Sequence, residues 1–233
     1  MKKLTILIVC LLALSQAKAQ FTVAYNCGYG SYDMGNLKDR QKELIERWIP
    51  AKDAIIEDNF SGGMTHDLSI GYKFNIGYEI RHVYAIRHVY EVGVKSSYYG
   101  TKGRFHSKVD PNNFHNQFDL DAYRVGIYFK DYFYNDKWDG NTKFSLFYEV
   151  SPGMIFSKID QEGFLRVSTN RSHTNKVFAI MAQLGARYHI TPHIGANVSV
   201  GYDFSPGTDN YEEVKVNDKW SGIRIAAGIS YTL

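Results

Sequence analysis

Several residue types that mark other protein classes are scarce in this chain of 233 residues. Proline contributes 5 residues, tryptophan 3 and cysteine 2, and only 22% of the residues are charged. Cys27 is the one cysteine beyond the first twenty residues, which excludes an intramolecular disulfide in the exported chain. No run of about 18 apolar residues follows the N-terminal segment, so a bundle of membrane helices is also excluded.

Aromatic residues and glycine are what the chain has in abundance. Aromatic residues make up 15% of the sequence, with 18 tyrosines and 14 phenylalanines, and there are 20 glycines. This content excludes a disordered chain, which has few aromatic residues and a high net charge. The composition is instead typical of a β-rich protein with close backbone contacts.

The N-terminal segment has the pattern of a signal peptide. Lys2 and Lys3 precede an apolar stretch over residues 4–14, and residues 17–19 (Ala-Lys-Ala) form a small-x-small cleavage site. We expect residues 1–19 to be removed, which leaves residues 20–233 as one domain. The three lysines of this leader equal the formal net charge of +3, so the mature chain is balanced and offers no basic surface for nucleic acid.

An alternation of apolar and polar residues with a period of two recurs along the chain, as expected for β-strands. It is cleanest in the last segment, where Ile223, Ile225 and Ile229 alternate with Arg224 and Ser230. The eight predicted strands cover residues 21–29, 68–80, 90–98, 123–130, 143–156, 177–190, 193–204 and 222–233. The sequence therefore predicts an all-β protein.

The composition of the polar face indicates which side of the sheet faces outward. A soluble lipocalin-like barrel would have an exterior rich in Lys, Glu and Thr, whereas this face carries mostly Gly, Ser, Ala and Asn. The apolar face has aliphatic residues in mid-strand and aromatic residues near the ends, which is typical of a transmembrane barrel. The two predicted aromatic rims are Tyr29, Tyr98, Phe118, Phe156, Phe178, Phe204 and Trp220, and Phe21, Tyr132, Phe133, Tyr188 and Tyr231.

Connection lengths predict the topology of this antiparallel barrel. Short connections fall near residues 81–85, 134–141 and 191–192, and long ones cover residues 31–63, 101–117, 160–175 and 205–219. Transmembrane barrels have short periplasmic turns and longer outer loops. The pattern therefore places both termini on the periplasmic side.

The leader, the eight strands, the loop asymmetry and the last strand, 222–233, together resemble the small outer-membrane barrels of Gram-negative bacteria. These are the OmpA-, OmpX- and OmpW-like proteins of the porin family, and the resemblance covers nearly all of residues 20–233. It implies an eight-stranded barrel that crosses the outer membrane after signal-peptide-dependent export. It also implies outer-membrane lipids as surroundings, a monomer, and no cofactor.

Charged residues on the polar face form a predicted lumen network. Charges shielded from water must be paired and hydrogen-bonded, and an eight-stranded barrel is only wide enough for side chains. A structural network is therefore favoured over a solute- or proton-selective path lined with charge. The predicted members are Lys73, Glu79, Glu91, Lys95, Arg124, Lys130, Glu149, Arg187, Asp203 and Arg224.

The first outer loop contains a short amphipathic helix over residues 36–50. Asn36 is placed to cap it, and Pro50 is placed to stop it. One helical face collects apolar residues, which favours packing across the barrel mouth over docking on lipid headgroups or on a partner. This face consists of Leu37, Leu44, Ile45 and Trp48.

No catalytic or metal-binding motif is present in the sequence. Ser172 and His173 in an outer loop are adjacent, so their side chains do not face each other as a nucleophile and its base must. Zinc spacing and phosphate-binding loops are also missing. The sequence thus predicts a non-enzymatic outer-membrane protein with a structural or surface-interaction role, with an envelope or surface protein as partner through the outer loops. A narrow porin-like channel and a lipid-modifying barrel enzyme are the alternatives.

Overall fold

A computed structural model of the chain describes residues 20–49, 53–74, 86–112, 114–135, 143–165, 168–207 and 219–233. The predicted leader, residues 1–19, lies outside these ranges, as do Pro50 and most of the two predicted turns near residues 81–85 and 134–141. Within them the chain forms one helix, α1 (Leu37–Trp48), and nine strands. The strands are β1 (Gln20–Tyr32), β2 (Ala54–Asn59), β3 (Gly63–Phe74), β4 (Ile86–Ser107), β5 (Phe114–Asn135), β6 (Phe144–Leu165), β7 (Ser168–His189), β8 (Ile194–Phe204) and β9 (Gly222–Thr232).

Eight of the strands close into a ring. Each of β3 to β8 pairs antiparallel with the next strand in the chain, and β1 pairs with both β3 and β9. The ninth strand, β2, continues the wall beyond β3: β3 pairs with residues 90–99 of β4, and β2 pairs with residues 103–107. The ring satisfies the backbone hydrogen bonds within the wall, as a bilayer requires. The prediction of an eight-stranded antiparallel barrel is confirmed.

The exterior of the ring is apolar, as predicted. Ile127 is 64% exposed and Ile225 is 63% exposed, although both lie in mid-strand. Most of the predicted rim residues also point outward, among them Tyr29, Phe178 and Tyr188. The rim prediction is wrong for Phe118, Tyr132 and Trp220, because their aromatic side chains are buried inside the barrel.

The wall of the barrel is taller on one side than on the other. β4, β5, β6 and β7 have 22 residues each, whereas β1, β3, β8 and β9 have 11 to 13. The predicted loops 101–117 and 160–175 are therefore wrong: β4 stays paired with β5 up to His106, and β6 with β7 up to Phe164. In these extensions the apolar side chains, such as Phe105 and Ile159, point inward, so the outward-apolar rule no longer applies.

The helix predicted in the first loop is present as α1. The helix ends at Trp48, and the N–H of the next residue, Ile49, donates to the carbonyl of Ile45. Asn36 precedes the helix, but the expected capping hydrogen bond from its side chain is not formed. Among the described residues, no helix has the length and apolar content needed to cross a membrane.

Candidate functional site

The predicted lumen charges lie inside the ring. Their side chains sit at alternate positions on successive strands, and none of the nine described members is more than 7% exposed. Glu79, the tenth, lies outside the described residues. The nine are Lys73, Glu91, Lys95, Arg124, Lys130, Glu149, Arg187, Asp203 and Arg224.

One end of the ring carries Gln20 and Thr232 and is called the terminal end. Near this end, the carboxylate of Glu91 accepts hydrogen bonds from several side chains. Oε2 of Glu91 accepts a hydrogen bond of 3.0 Å from the hydroxyl of Tyr132 and lies 3.7 Å from Nζ of Lys73. Its other oxygen accepts from the hydroxyl of Tyr128. Such charge-assisted hydrogen bonds replace the water that a buried carboxylate loses.

Glu149 connects this layer to the next one along the barrel axis. Its carboxylate oxygens lie 2.8 Å from Nζ of Lys95 and 3.0 Å from Nζ of Lys130. Lys95 also lies 3.8 Å from Asp67. One carboxylate therefore neutralises part of two buried ammonium groups, which makes Glu149 the central acid of the lumen.

A second layer toward the opposite end, the loop end, is built on Arg224. Its guanidinium donates to Asp67 at 2.8 Å and to Asp203 at 3.2 Å. Nε of Arg124 lies 4.0 Å from Oδ1 of Asp203, and Nη2 of Arg124 donates to the backbone carbonyl of Ser151. Arg224 thus reaches carboxylates on two other strands, and Arg124 approaches one of them across the lumen.

Sequence reasoning does not include Asp67 or the lumen tyrosines in this network. The predicted strand begins at Leu68, although the alternation Asp67, Ser69, Gly71, Lys73 continues one step further. Extending the pattern by one residue places Asp67 on the inner face. Tyr128 and Tyr132 also face inward, but a tyrosine on a polar face carries no distinctive signal of its own.

An apolar cluster fills the loop end of the lumen. It joins Leu37, Leu44 and Ile45 of α1 to inward residues of β4 to β7, and Trp48 packs against it. The other buried members are Tyr32, Met34, Ile49, Phe60, Tyr99, Phe105, Phe118, Leu120, Ala122, Ile155, Ile159, Val177, Ala179 and Trp220. The predicted helix face is therefore the face that packs into the barrel mouth.

Polar contacts hold this closed mouth in place. Gln41 of α1 is buried, and its Nε2 donates at 2.9 Å to the carbonyl of Asp58 in β2. Beyond β1, the N–H of Met34 donates to the carbonyl of Lys219 at 2.9 Å. Nζ of Lys219 lies 2.7 Å from Asp33, and this hydrogen bond raises the pKa of Lys219. The first loop is thus fastened to both β2 and the segment before β9.

The geometry does not assemble the one serine–histidine candidate. Ser172 and His173 follow each other in β7, so their side chains lie on opposite faces of the strand. Ser172 pairs across the sheet with Asp160, and His173 pairs with Ile159. In the described part of the chain no group of three or more His, Cys, Asp or Glu side chains is placed to hold a metal ion.

Comparisons with known proteins give the same architecture. No family model and no curated protein sequence matches the chain. A solved structure of a major outer membrane protein from Thermus thermophilus superposes with a TM-score of 0.52 at 11% identity, and the match covers 92% of this chain and 99% of that one. The chain has the fold of a small outer-membrane β-barrel.

Two further outer-membrane barrels are similar at lower TM-scores. Neisserial surface protein A gives 0.48 at 10% identity, with 92% of this chain and 99% of that chain covered. The outer membrane protease OmpT of Escherichia coli gives 0.44 at 11% identity, with 94% and 98% covered. The fold and the apolar exterior make this barrel an integral protein of the outer membrane. Because barrels of this kind have short periplasmic turns and longer outer loops, we expect the terminal end in the periplasm and the loop end outside.

Proposed function

We propose that this outer-membrane barrel is a non-enzymatic protein that binds another envelope or cell-surface protein through its extracellular end. The observation that carries the proposal is the height of the wall formed by β4, β5, β6 and β7. These strands continue past the ends of their shorter neighbours and form, with β2, a sheet outside the membrane. Barrel closure does not require such a sheet.

The extracellular sheet has two edges that lack a second strand neighbour among the described residues. β2 pairs with β4 on one side and has no second strand neighbour among the described residues. β7 pairs with β8 only from Ile180 onward, so its outer part lacks a described strand on that side. Unpaired strand edges are where a second protein can add a strand.

Apolar side chains are exposed on this same part of the protein. Ile56 in β2 is 53% exposed, and Val109 at the tip of the β4–β5 hairpin is 75% exposed. Ile55 is also exposed. These side chains lie on the extracellular sheet, beyond the part of the wall where Ile127 and Ile225 face lipid. Exposed apolar residues outside the membrane favour contact with protein.

The channel alternative is opposed by the contents of the lumen. Buried ion pairs occupy the lumen at successive levels, from Lys73–Glu91 near the terminal end to Arg224–Asp203 nearer the loop end. The apolar cluster under α1 fills the outer end of the lumen. A hydrated ion would have to displace both. The closed lumen therefore favours a surface role over conduction.

The test places a photocrosslinking residue at Ile56 in cells that carry the full chain, with Lys42 as the control position. Lys42 is 76% exposed and lies on α1 rather than on the extracellular sheet. We expect one discrete adduct from Ile56 that disappears in the variant Ile55→Ser, Ile56→Ser, Val109→Ser while heat-modifiable migration is retained. Adducts that form equally at both positions, or survive in the variant, would count against the proposal.

Conductance in planar bilayers tests the channel alternative. We expect no discrete openings from the wild type or from a variant lacking residues 34–62, because the charged layers remain after the helix is removed. Stable openings in both proteins would favour the pore.

A further inference from the structure

The described part of the lumen holds more buried cations than carboxylates, and Glu79 lies outside it. Among the described residues that face the lumen, the cations are Lys73, Lys95, Lys130, Arg124, Arg187 and Arg224, and the carboxylates are Asp67, Glu91, Glu149 and Asp203. A buried charge without a counter-charge is costly, and a guanidinium cannot deprotonate to escape that cost. A buried guanidinium with no described acid beside it can be stabilised by a bound anion.

Arg187 is a cation that pairs with no acid among the described residues. Its side chain is fully buried, and Nη2 donates to the hydroxyl of Thr232 at 2.9 Å. In the described structure Nε and Nη1 have no hydrogen-bond partner, and no carboxylate lies within ion-pair distance. Arg224, by contrast, has Asp67 and Asp203.

The nearby carboxylates are already used by other donors. Glu91 receives the hydroxyls of Tyr128 and Tyr132 and lies beside Lys73. Glu149 lies between Lys95 and Lys130. A rotation of either acid toward Arg187 would leave another buried donor unpaired, so rearrangement within the network does not solve the deficit.

Three cations converge on one aromatic ring at this level. Nζ of Lys73, Nζ of Lys130 and Cζ of Arg187 lie 4.7, 5.8 and 5.9 Å from the ring centroid of Tyr132. Contacts with the ring face offset only part of the charge, because water-excluded cation–π contacts are weaker than a full ion pair. The cluster keeps a local excess of positive potential.

This cluster lies near the periplasmic mouth. β3 ends one residue after Lys73, β7 ends two residues after Arg187, and Thr232 is the last residue of β9. The opposite mouth is closed by the apolar cluster under α1. As far as the described residues show, the terminal end is therefore the side from which a small solute would reach Arg187.

We propose that the periplasmic end of the lumen binds one small anion, an inorganic ion or a carboxylate, through Arg187, with Lys73 and Lys130 supplying the surrounding positive field. The anion accepts hydrogen bonds from the guanidinium nitrogen atoms that the protein leaves unpartnered. It completes the charge network and stabilises the folded barrel. This role is independent of the extracellular interaction surface.

The test uses the purified full barrel and measures its thermal unfolding midpoint by heat-modifiable migration. Sodium chloride, phosphate and acetate are each compared with sodium gluconate, a bulky anion, at equal ionic strength and pH. At about a tenfold excess over its Kd, a bound anion should raise the midpoint by about 3 to 6 °C. The salt that produces the shift identifies whether the ion is a halide, an oxyanion or a carboxylate.

Three arginine variants separate binding from general effects of salt. Arg187→Gln should lose the anion-dependent shift, whereas Arg171→Gln, on the exposed face of β7, should retain it. Arg224→Gln, a buried arginine that has acids of its own, should lower the midpoint in every salt and keep the shift. Equal shifts in Arg187→Gln and wild type would overturn the proposal.

Bromide provides a measurement that needs no variant. Crystals of the wild type in sodium bromide should show an anomalous peak beside the Arg187 guanidinium. The absence of that peak, together with equal midpoints in all four salts, would mean that water alone solvates Arg187. Neither result depends on whether an extracellular partner exists.

Discussion

Glu149 is the position at which the lumen network is most sensitive to the loss of one charge. Replacing it by Gln keeps the shape but leaves Lys130 without the carboxylate at 3.0 Å and leaves Lys95 with only Asp67, at 3.8 Å. Removing one partner of a buried pair typically costs about 3 to 5 kcal/mol. We therefore expect Glu149→Gln to lower the free energy of unfolding by about that amount.

The same replacement at an exposed ion pair is the matched control. Glu57 lies 3.3 Å from Arg104, and both side chains are about 40% exposed (42% and 40%). Exposed pairs contribute about 0 to 1 kcal/mol, so Glu57→Gln should have little effect. Urea unfolding in liposomes, followed by gel migration and tryptophan fluorescence, gives the free energies of both variants.

A double-mutant cycle then isolates the contact between Lys95 and Glu149. Lys95→Met leaves Glu149 with Lys130 and leaves Asp67 with Arg224, so the single change should be milder than Glu149→Gln. The double variant should be more stable than the sum of the two single losses implies, by about 1 to 3 kcal/mol. Additive losses, or equal costs for Glu149→Gln and Glu57→Gln, would refute a dry, interlocked lumen and indicate a hydrated one.

Three other sets of substitutions test the fold. Val198→Arg on the lipid face should cost about 2 to 4 kcal/mol in liposomes, whereas Ser199→Ala on the inner face should cost less; equal tolerance would count against the assigned faces. Polar replacement of Leu44, Ile45 and Trp48 together should leave the barrel folded but make the first loop sensitive to protease, while the same change at Lys42, Glu43 and Glu46 should not. Gly153→Ala should cost about 1 to 3 kcal/mol in urea unfolding. Its Cβ would lie 2.7 Å from the carbonyl of Val125, whereas Gly100→Ala, with nothing nearer than 3.5 Å, should be close to neutral.

Period-two patterning predicts the strands well but not their full length. In the belt, residues such as Ile225 face lipid, so apolar side chains mark the outside. In the extensions of β4 to β7 the solvent is water, and apolar side chains such as Phe105 and Ile159 face inward into a core. The sequence predicts loops where β4 to β7 extend, because the rule that apolar residues face outward holds in lipid but not in water.

The lumen residues could be predicted as a set, but their partners could not. Alternation fixes the face on which Arg224 lies, whereas its contacts with Asp67 and Asp203 depend on strand tilt and stagger around the ring. Neither quantity is encoded in the spacing along one strand. For the same reason it takes the closed barrel to see that none of the described acids pairs with Arg187.

The apolar cluster under α1 also has a consequence for assembly. Tyr32 comes from the first strand and Trp220 from the segment just before the last, and their rings meet with centroids 5.2 Å apart. This core is complete only when the two ends of the chain are joined across the seam between β1 and β9. Once formed, it adds the burial of aromatic surface to the hydrogen bonds of the seam. The apolar cluster at the water-facing end thereby stabilises the pairing of β1 with β9 in the part of the barrel that lies in lipid.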